Sequence, residues 1–317
     1  MAHPQTHQLP SPSPSYSPSV TVVVPTHDRP LLVRETLRSI AEQGYGGALE
    51  TIVVFDRAEP DPSLENEFPE LALRVVRNTR TPGLPGSRNT GILLAHSELV
   101  AFCDDDDVWL PGKLEAQVAA LEANPEAELA ATSIVVRYAG RDSVRLAGTE
   151  RVELRHLLRS RMAMLHSSTL LFRRASLIDG IGLIDEEIPG GMSEDWDILI
   201  RTARRAPIAH VDRPLVQVLW GNNSFFTQRW DLKLTSHEWM LDQHPDILDD
   251  PVGAGRVLGQ MAFAEAAMRR RRAAVRRAFA ALRRNWREPR AFFALAVAAG
   301  VSPGTVLGVL HRYGRGV

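Results

Sequence analysis

Short runs of β-branched and aliphatic residues recur through the first hundred positions, each closed by a turn signal and followed by a helical pattern. Val20-Thr21-Val22-Val23-Val24 ends at Pro25, Thr51-Ile52-Val53-Val54-Phe55 follows, then Leu73-Arg74-Val75-Val76 and Leu99-Val100-Ala101-Phe102-Cys103. Unbroken apolar runs of this length suit strands buried on both faces. Strands about 25–30 residues apart with helices between them are joined by right-handed crossovers. Val33, Leu37 and Ile40 supply the first helical stripe after Pro30, with Asp28 as its expected cap, and Ser87 to Ala95 supplies another. The expected fold class is α/β: a Rossmann-like, mostly parallel sheet flanked by helices.

Composition narrows the setting. With 44% of 317 residues hydrophobic and 24% charged, the chain can bury a sizeable core. The formal net charge of −1 implies no general polyanion-binding surface, and no nucleic acid is expected as a partner. Cys103 is the single cysteine, which excludes an internal disulfide framework and a cysteine-based zinc site. No apolar run reaches the roughly 18 residues of a spanning helix, and the N-terminus lacks the regions of a secretory signal. The expected location is cytoplasmic. Lys113 and Lys233 are the only lysines; all other basic residues are arginine, a bias that GC-rich codon usage produces and that weakens any single arginine as a sign of anion binding.

Residues 1–19 are Pro, Ser, His and Gln with almost nothing apolar, and are expected to form a disordered tail. In the second half Leu114–Leu121 and Asp195–Arg204 read as helices. Ala130–Tyr138, Ser167–Phe172 and Leu215–Leu219 read as strands, a mixed region built onto the sheet's edge. Residues 226–317 form a helical C-terminal extension rich in Ala and Arg, with a weak strand signal only at Gly300–Val309.

Ligands of open parallel sheets bind beyond the carboxyl ends of the strands. Asp104-Asp105-Asp106-Asp107 sits at such an end. Adjacent carboxylates repel unless protons or a cation neutralise them, which makes a hard divalent ion their natural partner. The plain alternative is a solvated acidic loop. Gly83-Leu84-Pro85-Gly86-Ser87-Arg88-Asn89-Thr90-Gly91 opens a helix with free N–H groups suited to a diphosphate, and Arg88 can pair with the phosphates or a nearby aspartate. Pro25-Thr26-His27-Asp28-Arg29 and Asp56 lie at the same sheet end. Glu194-Asp195 opens a further helix after Gly190-Gly191-Met192-Ser193, with Ser193 as the expected cap; the helix dipole alone ordinarily accounts for acids there.

Four ordered motifs, Val22 to Pro30, Ser87-Arg88-Asn89-Thr90-Gly91, Phe102 to Trp109 and Glu194-Asp195-Trp196-Asp197, resemble those of family 2 glycosyltransferases. The resemblance covers roughly residues 20–225 and implies a GT-A catalytic domain there, its nucleotide-sugar half at about 20–110 and its acceptor half at about 111–225. It implies an inverting transfer of a sugar from a UDP-, dTDP- or GDP-linked donor to an acceptor hydroxyl on a glycan, a lipid-linked intermediate or a natural product. Asp104 and Asp106 become the outer carboxylates of a D-x-D motif, with Mg or Mn at Asp106 and Asp104, and Asp105 in the same donor-binding turn. Pro25, Thr26, Asp28, Arg29 and Asp56 line the nucleoside pocket, and Arg88 reaches the base or the phosphates. Asp195 is the implied general base and Glu194 its supporting acid.

Two departures qualify the resemblance. Phe55-Asp56-Arg57-Ala58 stands where the family usually shows Asp-Asp-Gly-Ser, so the base-recognition loop is unusual. No histidine follows Leu215–Leu219; Asn222, Asn223, the more distant His237 or water are the alternatives for a third metal position. His166 and His210 read as structural histidines. Met268, Val275, Phe279, Leu282 and Trp286 share one helical stripe with arginines outside it, a pattern that rests on an anionic membrane or packs on a neighbouring domain. The rivals are a sugar nucleotidyltransferase, which would want a Gly-rich basic loop directly after the first strand, and a membrane- or partner-binding protein on a glycosyltransferase scaffold, which would not need Asp104, Asp106 and Asp195.

Overall fold

The early apolar runs become the centre of one ten-stranded sheet. The computed structural model describes residues 17–138, 140–220 and 229–312. Four strands come first: β1 (Val20–Thr26), β2 (Leu49–Phe55), β3 (Leu73–Arg77) and β4 (Leu99–Phe102). They lie in the order β3-β2-β1-β4 and pair in parallel throughout. Then follow β5 (Val108–Trp109), β6 (Leu129–Tyr138), β7 (Arg141–Arg145), β8 (Arg151–Val152), β9 (Leu171–Arg173) and β10 (Ile208–Trp220). This half is mixed. β9 runs antiparallel between β4 and β6, β6 and β10 are parallel, and β5, β7 and β8 add antiparallel pairs.

Two apolar layers follow from the alternation of side chains on β1: Val23 joins one face and Val20, Val22 and Val24 the other, all fully buried. The helix Leu84–Leu94 covers the first face at close range. A Cβ placed on Gly91 would lie 2.3 Å from Val23 Cγ1, so only glycine permits this approach. The chain just before β1 is also tied down: Tyr45 donates to the carbonyl of Pro18, and Ser19 N donates to Glu98.

Several local expectations are corrected. Asp28 does not cap the helix Pro30–Ala41; it has φ of 50° and the N-cap position belongs to Arg29, without a side-chain bond. Ser167–Thr169 is a 3₁₀ turn that delivers the chain into a short β9, because the N–H groups of Thr169 and Leu170 donate back to the carbonyls of His166 and Ser167 instead of across the sheet. Within Gly300–Val309, residues from Pro303 onward belong to the helix Pro303–Arg312, with Pro303 at its start.

The C-terminal helices Pro251–Ala267, Arg271–Arg284 and Pro289–Ala298 pack through small residues. Ala274, Ala278 and Ala281 are buried, and a Cβ on Gly255 would lie 2.7 Å from Asn285 Cβ. This divides the apolar stripe inferred from sequence: Val275 and Leu282 pack beside the buried alanines of Arg271–Arg284, while Phe279 and Trp286 are exposed. No helix among the described residues is long and apolar enough to cross a membrane.

Candidate active site

Parallel pairing brings Thr26, Asp56 and Asp104 to one edge of the sheet. β9, antiparallel to β4 with Ala101 opposite Leu171, begins at that same edge and carries His166, Ser167 and Ser168 to the acidic turn. Every carboxylate of the turn therefore finds a partner. Asp104 accepts from Arg88 and from Ser167 Oγ at 2.9 Å. Asp105 accepts from Thr26 Oγ1 at 2.7 Å and from Arg29 at 2.9 Å, and Arg29 also reaches Asp106 at 2.7 Å. Asp107 accepts from Ser168 Oγ and stands 3.2 Å from His166 Nδ1.

These partners do not balance the charge. Burial, together with repulsion from Asp107 and Asp104, pushes the Asp106 carboxyl up to about 7 despite Arg29. Asp105 is raised as well, mainly by burial. For Asp104 burial works the same way, but Arg88, His166 and Ser167 outweigh it and hold the carboxyl low. Burial disfavours charge on His166 too, yet Asp107 lifts its imidazole to about 9.

The second acidic group starts the helix Glu194–Arg205. Its N-cap Ser193 makes no capping bond to the helix and adopts φ of 76°, a left-handed conformation that costs roughly 1–3 kcal/mol for a residue with a side chain. Ser236 steadies this entry by donating to the carbonyl of Met192. Asp195 is gripped by Arg161 Nη2 at 2.8 Å to both carboxylate oxygens and accepts from Trp196 N. Burial would raise its carboxyl, but Arg161 holds it below the usual range. Glu194 moves the other way, raised by burial and by Asp195 against the pull of Arg88. Further along, Asp197 bonds Arg201 and His244, which fastens this helix to the C-terminal part of the chain.

Arg88 joins the two groups. It is 1% exposed, and its two terminal nitrogens donate to Glu194 and to Asp104 while its guanidinium lies 5.6 Å over the Phe102 ring. Pairing with a nearby aspartate, one of the two roles open to it from sequence, is met at Asp104. Asn89 exchanges hydrogen bonds with the backbone of Ile184, bracing the segment that leads to the acid pair.

Among the remaining expected residues, Pro25 is buried within β1, and Asp56 accepts from Asn78 Nδ2 at 2.9 Å and from Gly83 N at 3.0 Å, anchoring the loop before the helix Leu84–Leu94. Asp28 is exposed and stands outside the network. His237 donates to the carbonyl of Lys233 and contacts Gln260, and His210 sits against Ser133 and Asp212, away from the turn. Asn222 and Asn223 lie outside the described residues. Sequence reasoning set His166 aside as structural and missed Arg161, Ser167 and Ser168. Their only signal is a polar cluster ahead of a short strand, and the antiparallel placement of that strand is a tertiary fact.

The oxygen-rich turn suits a hard divalent cation, since its four crowded carboxylates outnumber the positive groups Arg29, Arg88 and His166 that face them. Asp104, Asp107 and His166 also bring ligand atoms within 4.8 Å of one another. A cation held by that trio would have to displace the proton that Asp107 favours on His166. Asp104 belongs both to that trio and to the pair expected from sequence, whose other member, Asp106, is partly exposed.

Comparison with known proteins settles the class. A family model described as Glycosyl transferase family 2 matches residues 21–180. The chain is 24% identical over 264 residues to YwdF of Bacillus subtilis strain 168, an uncharacterized glycosyltransferase, covering 80% of this chain and 92% of that protein. It is 26% identical over 106 residues to WfgD of Escherichia coli, named a UDP-Glc:alpha-D-GlcNAc-diphosphoundecaprenol beta-1,3-glucosyltransferase, covering 33% of this chain and 42% of that protein. Among solved structures it is similar to S. aureus TarS 1–349 in complex with UDP-GlcNAc, with a TM-score of 0.60 at 17% identity over 94% of this chain and 92% of that one. Mannosyltransferase PcManGT from Pyrobaculum calidifontis, in complex with GDP-Man and Mn2+, gives a TM-score of 0.51 at 21% identity over 94% and 81% of the two chains. The chain belongs to glycosyl transferase family 2, with a GT-A fold, and is a glycosyltransferase.

Proposed function

We propose that this glycosyltransferase moves a sugar from a nucleoside diphosphate donor to an acceptor hydroxyl in one displacement, inverting the anomeric carbon. The observation that carries the reading is the Arg88 strut, which fixes the acidic turn and the Glu194-Asp195 helix start at opposite ends of one guanidinium. A donor diphosphate at the turn and an acceptor at the helix start would be brought within reach of each other beside this strut. Asp195 takes the proton of the acceptor hydroxyl as its oxygen attacks the anomeric carbon and the nucleoside diphosphate departs. Arg161 keeps Asp195 ionised and oriented, at the expense of basicity. Thr26 and Arg29 hold the turn, and Asp56 supports the nucleoside side through its grip on Gly83. Asp104 and Asp106 would hold a divalent Mg or Mn ion, which supplies Lewis-acid stabilisation of the leaving diphosphate.

UDP- and GDP-linked sugars are the donors supported by the complexes of TarS and PcManGT. A polyprenyl-diphosphate-linked glycan is the acceptor class supported by the name of WfgD, whose match covers a third of this chain. The test is a thermal-shift panel of UDP, dTDP and GDP sugars with and without Mn, followed by donor hydrolysis for those that bind. Binding of the native state raises the melting temperature by mass action, so one nucleotide should stand out, more strongly with metal. Equal shifts for all nucleotides, or none, would overturn the donor assignment.

A further inference from the structure

Between Glu265 and Glu288 the chain holds nine arginines and no acidic residue. In the helix Arg271–Arg284 the inner face is already used, since Ala274, Ala278 and Ala281 are buried in the helical seam. Arg272, Arg276, Phe279 and Arg283 recur at intervals of four, three and four residues, which places them in one row, and all are exposed. The row continues into the turn beyond: Trp286 is 69% exposed, with the Arg287 guanidinium 4.6 Å from its ring centroid, and Phe279 is 52% exposed. Arg277, off this row, pairs with Glu265 and Glu238, whereas among the described residues Arg272, Arg276, Arg283 and Arg287 have no carboxylate within ion-pair reach.

We infer that this outward face docks on an anionic phospholipid surface. The arginines match the headgroup phosphates, and the two aromatic rings enter the boundary between headgroups and acyl chains, where an amphipathic indole is favoured. A second copy of the chain is a poor occupant, because a two-fold interface here would set arginines against arginines. A polyanion in solution would satisfy the guanidinium groups but leave the aromatic tips without an apolar phase. The inference stands on this surface alone and does not depend on the acceptor assignment.

The experiment is co-sedimentation of the full chain with phosphatidylcholine vesicles, with and without phosphatidylglycerol, across a salt series and without any donor. The chain should sediment only with the anionic vesicles. Each arginine near such a surface strengthens binding roughly fivefold, so Arg272→Gln, Arg276→Gln, Arg283→Gln and Arg287→Gln combined should weaken it on the order of several-hundredfold. Phe279→Ala with Trp286→Ala should leave a residual binding that high salt abolishes. Unchanged melting temperature and donor hydrolysis in both variants show that the fold is intact. No sedimentation with anionic vesicles at low salt overturns the inference. So does wild-type binding by the arginine variant, concentration-dependent self-association that Trp286→Ala removes, or binding to single-stranded RNA that the aromatic changes leave untouched and vesicles do not compete. Failure here with intact donor hydrolysis leaves the glycosyl-transfer reading standing.

Discussion

The two acidic groups at the mouth of the sheet are built from the same residue types but solve their charge differently. Glu194-Asp195 meets two guanidinium groups, Arg88 and Arg161, and Asp195 is held low. Asp104–Asp107 shares Arg88, adds Arg29 and His166, and still leaves Asp106 at about 7. Nearby in the chain Lys113 is fully buried, yet it offers no relief. Its ammonium lies 3.7 Å over the Trp109 ring and donates to Gln117 rather than to a carboxylate, and burial pushes it down to about 7. The first group is the better balanced, although Arg88 is shared and Glu194 is still raised; the second is short of positive charge, a deficit that a proton on Asp106 or a bound cation would relieve.

The largest expected effect tests the balanced group. Asp195→Asn keeps size and most hydrogen bonding but removes the proton acceptor, so kcat should fall about 10²–10⁴-fold with little change in donor affinity. Glu194→Gln should be the milder lesion; the reverse order in steady-state kinetics would move the base to Glu194. Arg88→Met attacks both groups at once. Leaving two buried carboxylates without their shared partner should cost about 3–5 kcal/mol in urea unfolding, and a loss well under 1 kcal/mol would break the view that the strut couples them.

Asp106→Asn probes the deficit directly. Wild type should gain about 2–3 kcal/mol of thermal stability from Mn at roughly a hundred times its dissociation constant, and the variant should lose most of that gain. An equal Mn shift in both would place the cation elsewhere. Lys113 gives the most gradual effect, and its sign is fixed. In the unfolded chain it titrates near 10.5 and in the fold near 7, so between those values the unfolded state binds the extra proton. Stability should therefore rise with pH through that window, by at most about 1.4 kcal/mol per pH unit, and Lys113→Met should flatten the rise in urea midpoints taken at pH 7 and above.

Much of this arrangement is legible in the residues themselves. Val20–Val24, Thr51–Phe55 and Leu99–Cys103 declare parallel strands because burial on both faces demands unbroken apolar runs, and the four aspartates then fall at a strand end by counting. What the residues cannot declare is which polar side chains a later strand will return. His166 and Ser168 reach Asp107 only because β9 enters the sheet antiparallel to β4, a choice made by tertiary packing. Arg161 is hidden by the abundance of arginine, and the seam of Arg271–Arg284 escapes a hydrophobic pattern because alanine packs closely while looking featureless in it. The expected cap at Asp28 fails for a backbone reason, the left-handed turn that carries the chain from β1 into Arg29.

The contact between Gly91 and Val23 has a consequence for how this sequence can change over generations. A methyl gained at 91 fits only where bulk is lost at 23, and bulk lost at 23 alone opens a void in the layer that Leu84–Leu94 covers. Each single step is penalised and the paired step is not, so the two positions drift as one inherited unit. The wall behind the strut is thereby slow to remodel, while the exposed rim around Asp28 and Arg57 is open to variation.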